Sequence, residues 1–125
     1  MVPNVLWVAL GGALGSGCRY WIGNLLAEKS QNFPWATFSV NAFGSLALGF
    51  LLASSLLSGD QKLGLKLFLT VGLMGGFTTY STFSYEVFSL MQKGAWTMGV
   101  TYLLTTLLVC LLASASGFFL GRQFL

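Results

Sequence analysis

Four long apolar stretches, joined by short polar connections, constrain the fold of this chain more than any other feature. They run from about Asn4 to Ala27, Trp35 to Leu57, Leu63 to Met91 and Ala95 to Leu120. A helix needs roughly 20 apolar residues to cross a bilayer, and each stretch reaches that length. The chain is only 7% charged, whereas a water-soluble domain carries about 25% charged residues. The sequence therefore predicts an all-α membrane protein with four transmembrane helices in a single domain, residues 1–125.

The third stretch contains residues that weaken a helix. Gly72, Gly75 and Gly76 each cost about 1 kcal/mol of helix propensity relative to alanine, and the β-branched Thr78 and Thr79 follow. A break at this depth frees carbonyls on one side and N–H groups on the other, which protein, water or an ion must satisfy. Carbonyls suit a cation and N–H groups suit an anion. We therefore expect this helix to be broken in mid-membrane around an ion site, with a simple kink as the alternative.

Aromatic rings and hydroxyl groups follow the predicted break. Tyr80 and Phe83 are three residues apart and so share one helical face, and aromatic ring edges carry partial positive charge. Ser81, Thr82 and Ser84 add hydroxyl donors. Such a site binds an anion without a fixed charge, and therefore without trapping it, as conduction through a channel requires.

The first stretch has small and polar residues at every fourth position, namely Gly11, Gly15, Arg19 and Gly23. Glycines on one face allow neighbouring helix backbones to approach closely. An arginine at membrane depth is costly unless it faces the bundle interior or a water-filled cavity, which is one interpretation of Arg19. The other interpretation is an arginine that snorkels to the membrane surface.

Polar stripes with the same spacing occur in the second and fourth stretches. The second contains Thr37, Asn41, Ser45, Gly49 and Ala53, and the fourth contains Tyr102, Thr106, Cys110 and Ser114. The amide of Asn41 cannot ionise and offers two donors, so an anion in a pore is one candidate partner. The fourth stripe suits either helix packing or a polar track for a permeant species, because membrane Ser and Thr often bond their own i−4 carbonyls.

Basic residues are divided almost evenly between the two sides of the predicted bundle. Lys62, Lys66 and Arg122 fall on one side, and Lys29 and Lys93 fall on the other. The excess of basic residues that normally marks the cytoplasmic side is therefore hardly present. We expect the chain to insert in both orientations, so that two copies pair antiparallel and produce by assembly the inverted symmetry of larger transporters.

The chain is poorly equipped for catalysis, because it has no histidine and its acids are Glu28, Asp60 and Glu86. Cys18 and Cys110 lie in separate stretches without metal-binding spacing, and we interpret them as reduced packing residues. The net charge of +3 forms no run that would bind nucleic acid, and the start MVPN has no basic region typical of a signal peptide.

Two other classes of small membrane protein remain open from these patterns. A proton-coupled exporter of the small multidrug resistance type needs a membrane-embedded carboxylate, for which Glu86 is the only candidate. Glu86 itself has two interpretations, a solvated residue at the membrane edge or a charge that tunes an ion vestibule. A non-transporting assembly subunit would leave the hydroxyl stripes and the broken helix unexplained.

Three sequence motifs resemble those of the Fluc/CrcB family of fluoride channels. GGFTTYSTFS at 75–84 is similar to the family signature GGFTTFSTFS, and GGALGSGCRY and WATFSVNAFGS resemble the first and second helices of the same family. The resemblance covers essentially the whole chain. It implies a dual-topology antiparallel homodimer in the bacterial inner membrane, with two pores that pass fluoride passively out of the cytoplasm and relieve fluoride toxicity.

The resemblance also implies roles for individual residues. The fluoride pore would include Asn41, Tyr80 and Phe83 and a polar track formed by Tyr102, Thr106, Cys110 and Ser114. We add Ser81 and Thr82 to it as hydroxyl donors from the residue pattern described above. One structural sodium ion would lie at the dimer centre, held by the backbone carbonyls of Gly75 and Thr78 from both copies. Arg19 would be a structural or vestibule charge, and we assign the same role to Glu86. Tyr80 replaces a phenylalanine of the signature, and we predict that its hydroxyl lowers conduction.

Overall fold

The computed structural model describes residues 3–124, and helices make up nearly all of this range. The first, second and fourth predicted stretches form α1 (Asn4–Leu25), α2 (Trp35–Ala53) and α4 (Trp96–Gly121). The third forms two pieces, α3a (residues 63–77) and α3b (Tyr80–Gln92). Residues 1, 2 and 125 of the predicted domain lie outside the described residues, and the assignment to a single domain stays a prediction.

Within residues 3–124, three helical stretches are long and apolar enough to cross a membrane. They are Trp35–Ala53, Asp60–Gln92 and Trp96–Phe124, and they agree with the predicted all-α membrane class. α1 has 22 residues, which at 1.5 Å per residue gives about 33 Å, enough for a bilayer core. That α1 also crosses, which would make four spans, stays a prediction.

The predicted end of α2 is wrong by four residues. The helix was expected to reach Leu57 but ends at Ala53, because Ser54 adopts an extended backbone (ψ 150°). The Ser54 hydroxyl donates to the carbonyl of Leu51 (3.3 Å), so a serine side chain occupies one of the last helical acceptors. A short turn of 3₁₀ helix, Ser55–Leu57, then begins the connection to α3a.

The break in the third stretch is confirmed, and it lies at two threonines rather than at the glycines. α3a is α-helical over Leu63–Leu67, π-helical over Phe68–Met74 and α-helical again over Gly75–Phe77. Thr78 (φ −85°, ψ 159°) and Thr79 (φ −151°, ψ 119°) are extended, and α3b follows directly.

Gly72 and Gly76 of α3a pack directly against α1, whereas Gly75 has open space around it. A Cβ on Gly15 would overlap the carbonyl oxygen of Leu73, and a Cβ on Gly76 would overlap backbone atoms of Gly12. The two backbones therefore touch without intervening side chains, as in other small-residue interfaces between membrane helices. This packing requirement explains why helix-weakening residues occur here without interrupting the helix.

α2 lies along α4, and α3b packs against α4. A small core of Phe83, Val87 and Tyr102 forms where α3b and α4 meet. Tyr102 is fully buried, and its ring meets that of Phe83 edge to face at a centroid distance of 5.2 Å. The break and the core are therefore neighbours, because Phe83 lies in the first turn of α3b.

Candidate functional site

The break is joined to α2 by the side chain of Asn41. The N–H of Thr79 donates to Asn41 Oδ1 (2.8 Å), and Asn41 Nδ2 donates to the carbonyl oxygen of Thr79 (3.0 Å). One side-chain amide thus pairs with both main-chain polar groups of an extended residue. These bonds satisfy groups for which lipid offers no partner.

The carbonyl end of α3a is joined to α1 by Arg19. Arg19 Nε donates to the carbonyl oxygen of Gly76 (3.1 Å), and the Ser16 hydroxyl lies 3.5 Å from the same oxygen. A positive charge is stabilised at the carbonyl end of a helix by the helix dipole. Arg19 is half-buried, so its guanidinium lies against the break within the bundle.

Two carbonyls at the break lose the donors that a continuous helix would supply. In such a helix the N–H of Thr79 would bond Gly75, and the N–H of Thr82 would bond Thr78. Instead the first bonds Asn41 Oδ1 and the second bonds Thr79 Oγ1 (3.2 Å). Gly75 and Thr78 are the residues predicted to hold a sodium ion, and uncharged carbonyl oxygens fit a hard cation. Gly75 is exposed on the single chain.

A cavity of ≈ 360 Å³ lies beside the break, between α2, α3b and α4. Six of the predicted pore residues line it, namely Asn41, Tyr80, Phe83, Thr106, Cys110 and Ser114. The rest of the lining is also uncharged and comprises Gly44, Ser45, Leu48, Thr78, Thr79, Leu107 and Leu111. The cavity therefore offers hydroxyl, amide and ring-edge groups without a formal charge.

One polar group in this first cavity has no partner within the described residues. Thr106 is only 3% exposed, and its hydroxyl makes no hydrogen bond there. A buried hydroxyl without a partner costs about 1–3 kcal/mol. Thr106 lines the cavity, and only a water molecule or an ion that reaches its buried hydroxyl would supply the missing partner.

The aromatic pair at the cavity combines one buried ring and one exposed ring. The ring centroids of Tyr80 and Phe83 are 6.0 Å apart. Phe83 is 4% exposed, whereas Tyr80 is 78% exposed on the single chain. Tyr80 therefore presents most of its ring to whatever covers this face.

Three predicted pore residues lie away from the first cavity. Ser81 is exposed beside Thr79 (3.4 Å between hydroxyl oxygens), and Thr82 Oγ1 accepts a hydrogen bond from Thr79 Oγ1 (3.0 Å). Tyr102 is directed to Glu86 instead, as its hydroxyl donates to Glu86 Oε2 (2.8 Å). Contact of these three residues with a permeant ion stays a prediction.

A second cavity, of ≈ 490 Å³, contains both Arg19 and Glu86. Glu86 Oε1 accepts from the Thr37 hydroxyl (2.8 Å) while Oε2 accepts from Tyr102, so both carboxylate oxygens are bonded. Thr79 lines both cavities, and the break therefore lies between them. Thr37 is absent from the predicted site, although its four-residue spacing from Asn41 is a signal for a shared face.

Three apolar helical stretches, one of them broken between two cavities, define a multi-pass membrane protein. Residues 6–118 match the family model described as CrcB-like protein, Camphor Resistance (CrcB). The chain therefore belongs to the CrcB family, which confirms the resemblance seen in its motifs.

Curated relatives cover nearly the whole chain. A protein of Magnetococcus marinus named fluoride-specific ion channel FluC is 42% identical over 122 residues, which is 95% of this chain and 98% of the relative. Proteins with the same name from Hahella chejuensis (41% over 130 residues, 99% and 98%) and Helicobacter pylori strain G27 (39% over 124 residues, 95% and 93%) are similarly close. The family is one of ion channels and not of enzymes.

Proposed function

We propose that this chain is a fluoride-selective channel of the bacterial inner membrane. It passes fluoride passively out of the cytoplasm and so relieves fluoride toxicity. The relatives of this chain are named for fluoride, and the first cavity supports an anion as the permeant species.

The uncharged lining of the first cavity is the observation that carries the proposal. Fluoride is small and strongly hydrated, so a site must replace its water with donors. Thr106 supplies a buried hydroxyl without a protein partner, and Phe83 supplies a ring edge. Because no fixed cation lines this cavity, the ion is bound weakly enough to leave, as conduction requires.

A second, antiparallel copy of the chain completes the pore. Tyr80 is 78% exposed although it lines the cavity, so one chain encloses only part of the path. The near-equal division of basic residues between the two sides supports insertion in both orientations. A two-fold axis at the break generates two pores per dimer.

A sodium ion at the centre of this dimer fits the carbonyls of Gly75 and Thr78, which lose their helical donors at the break. Each copy would supply both oxygens, and the ion would neutralise carbonyl dipoles that lipid leaves unpaired. We expect release of fluoride to fall when sodium is replaced by a large organic cation on both sides of the membrane.

Flux from liposomes tests the function. Reconstituted protein in fluoride-loaded vesicles should release fluoride rapidly only after a potassium ionophore shunts the voltage, and chloride-loaded vesicles should release nothing. The same assay is repeated with the variant Tyr80→Phe. Release from this variant alone would indicate a channel blocked by the Tyr80 hydroxyl rather than a wrong function. Absence of fluoride release from both proteins would overturn the proposal.

A C-terminal topology reporter tests the assembly separately. Fusions of a reporter active in the cytoplasm and of one active in the periplasm should both give signal from the same chain. A signal from one side only would contradict antiparallel pairing while leaving fluoride transport itself open to the flux assay.

A further inference from the structure

We infer that Asn41 is a positioning residue, whose side-chain amide acts as a substitute peptide group and holds the break open at Thr79. This inference rests on the proposed function only for its effect on fluoride, because the contact with Thr79 is a property of the chain alone. It differs from the role predicted from the sequence, in which Asn41 offers its donors to the ion.

The hydrogen bonds of Asn41 carry the inference. Its acceptor, Oδ1, is bonded to the N–H of Thr79, and one hydrogen of Nδ2 is directed to the carbonyl of the same residue. The amide has one acceptor oxygen and two N–H donors, so a single Nδ2 hydrogen remains for anything in the cavity. Most of the bonding capacity of Asn41 therefore serves the backbone.

The backbone around Thr79 needs this support. Thr78 and Thr79 are extended, whereas the residues on both sides are helical. Without Asn41, the N–H and the carbonyl of Thr79 both lose their partner while the backbone stays extended. The amide of Asn41 thus stabilises the extended backbone at the break.

α2 lies in close contact with the break. One turn after Asn41 comes Gly44, where a Cβ would overlap Cγ2 of Thr78. One turn before Asn41 comes Thr37, which donates to Glu86 on α3b. The same face of α2 therefore contacts the break and α3b at three successive turns. These contacts orient α3b and, with it, the side chains of Tyr80 and Phe83.

Hydrogen exchange at the break, combined with fluoride flux, tests this role. The full chain would be prepared in lipid nanodiscs as the unaltered protein, Asn41→Ala and Asn41→Asp, and exchange read on peptides that span Thr79. Asn41→Ala removes both bonds and should speed exchange at Thr79 by about fivefold, since the hydrogen bond of the exchanging N–H contributes about 1 kcal/mol. Asn41→Asp keeps an acceptor for the N–H but loses the donor, so its exchange should be intermediate.

Fluoride release should fall in Asn41→Ala, and it should fall at least as far in Asn41→Asp, because a carboxylate in the cavity lining also repels fluoride. The matched control is Ser39→Ala, a polar residue on α2 that is hydrogen-bonded to neither side of the break. It should change neither exchange at Thr79 nor release. If a variant simply unfolds, exchange in α4 will accelerate too, and the near-isosteric Asn41→Asp then decides the question.

A loss of fluoride release with unchanged exchange at Thr79 would overturn the inference, since Asn41 would then act on the ion itself. Unchanged exchange and unchanged release in Asn41→Ala would overturn it as well. If the unaltered protein releases no fluoride, the proposed function fails, and the exchange rates alone still decide whether Asn41 holds the break.

Discussion

The two halves of the third stretch, α3a and α3b, are held in the bundle by different means. α3a packs against α1 through glycines, with backbone touching backbone at Gly15 and Gly76. α3b is held by side chains, through the bonds of Thr37 and Tyr102 to Glu86 and the ring of Phe83 against Tyr102. The break between the halves is where one kind of packing gives way to the other.

This difference teaches where sequence change is tolerated. A backbone contact cannot rearrange to admit a methyl group, so α3a is intolerant of any added side chain on its α1 face. A contact between side chains loses only the energy of the altered bond, so α3b can vary while the fold persists. The predicted aromatic pore residues of the third stretch, Tyr80 and Phe83, accordingly lie on α3b, whereas α3a acts as a rigid support.

The largest expected effect comes from adding one methyl group to the backbone contact. Gly15→Ala places a Cβ against the Leu73 carbonyl and should destabilise the protein by about 3 kcal/mol, the upper end for overpacking. Size-exclusion profiles and thermal unfolding in detergent measure the loss. Gly17→Ala, on the same helix with open space around it, is the control. Equal stability of the two variants would contradict a tight contact between α1 and α3a.

A smaller loss is expected from the side-chain contact. Tyr102→Phe leaves Glu86 Oε2 without its donor and should cost about 2 kcal/mol, as for a hydrogen bond to a charged group. The midpoint of thermal unfolding should fall while the size-exclusion profile stays that of the folded protein. Tyr85→Phe alters an exposed tyrosine on α3b and should leave the midpoint unchanged.

The third prediction concerns fluoride flux rather than stability. Tyr80→Phe removes a hydroxyl from the exposed ring beside the cavity. Fluoride release should rise by up to about tenfold, because the ion loses one hydrogen bond that retains it. Initial rates from liposomes measure it, with Tyr85→Phe as the control. An unchanged rate in Tyr80→Phe would show that this hydroxyl does not meet the ion.

The smallest effect is expected at Thr106, and it should separate stability from flux. Thr106→Val replaces the unpaired hydroxyl with a methyl group of similar size, so stability should rise by about 1 kcal/mol because a buried unsatisfied group is removed. Fluoride release should fall, because the cavity loses a donor. A fall in stability would indicate that the hydroxyl has a partner within the protein after all.

Some features of this structure follow from the sequence, and others depend on contacts between helices. The apolar stretches and the four-residue stripes place α1, α2 and α4 and put Asn41 and Thr106 on inward faces. The position of the break does not follow, because Gly76 weakens a helix by propensity but is kept helical by packing against Gly12. The pairing of Arg19 with Gly76 also could not be predicted, since it depends on how far α1 is rotated against α3a.

The bonds at the break have a consequence for the order in which the chain is built. Asn41 precedes Thr79 by 38 residues, and Arg19 precedes Gly76 by 57. During synthesis, which proceeds from the N-terminus, both side chains are therefore made before the segment that they hold. The third stretch is thus completed only after the helices that carry the partners of its interrupted backbone.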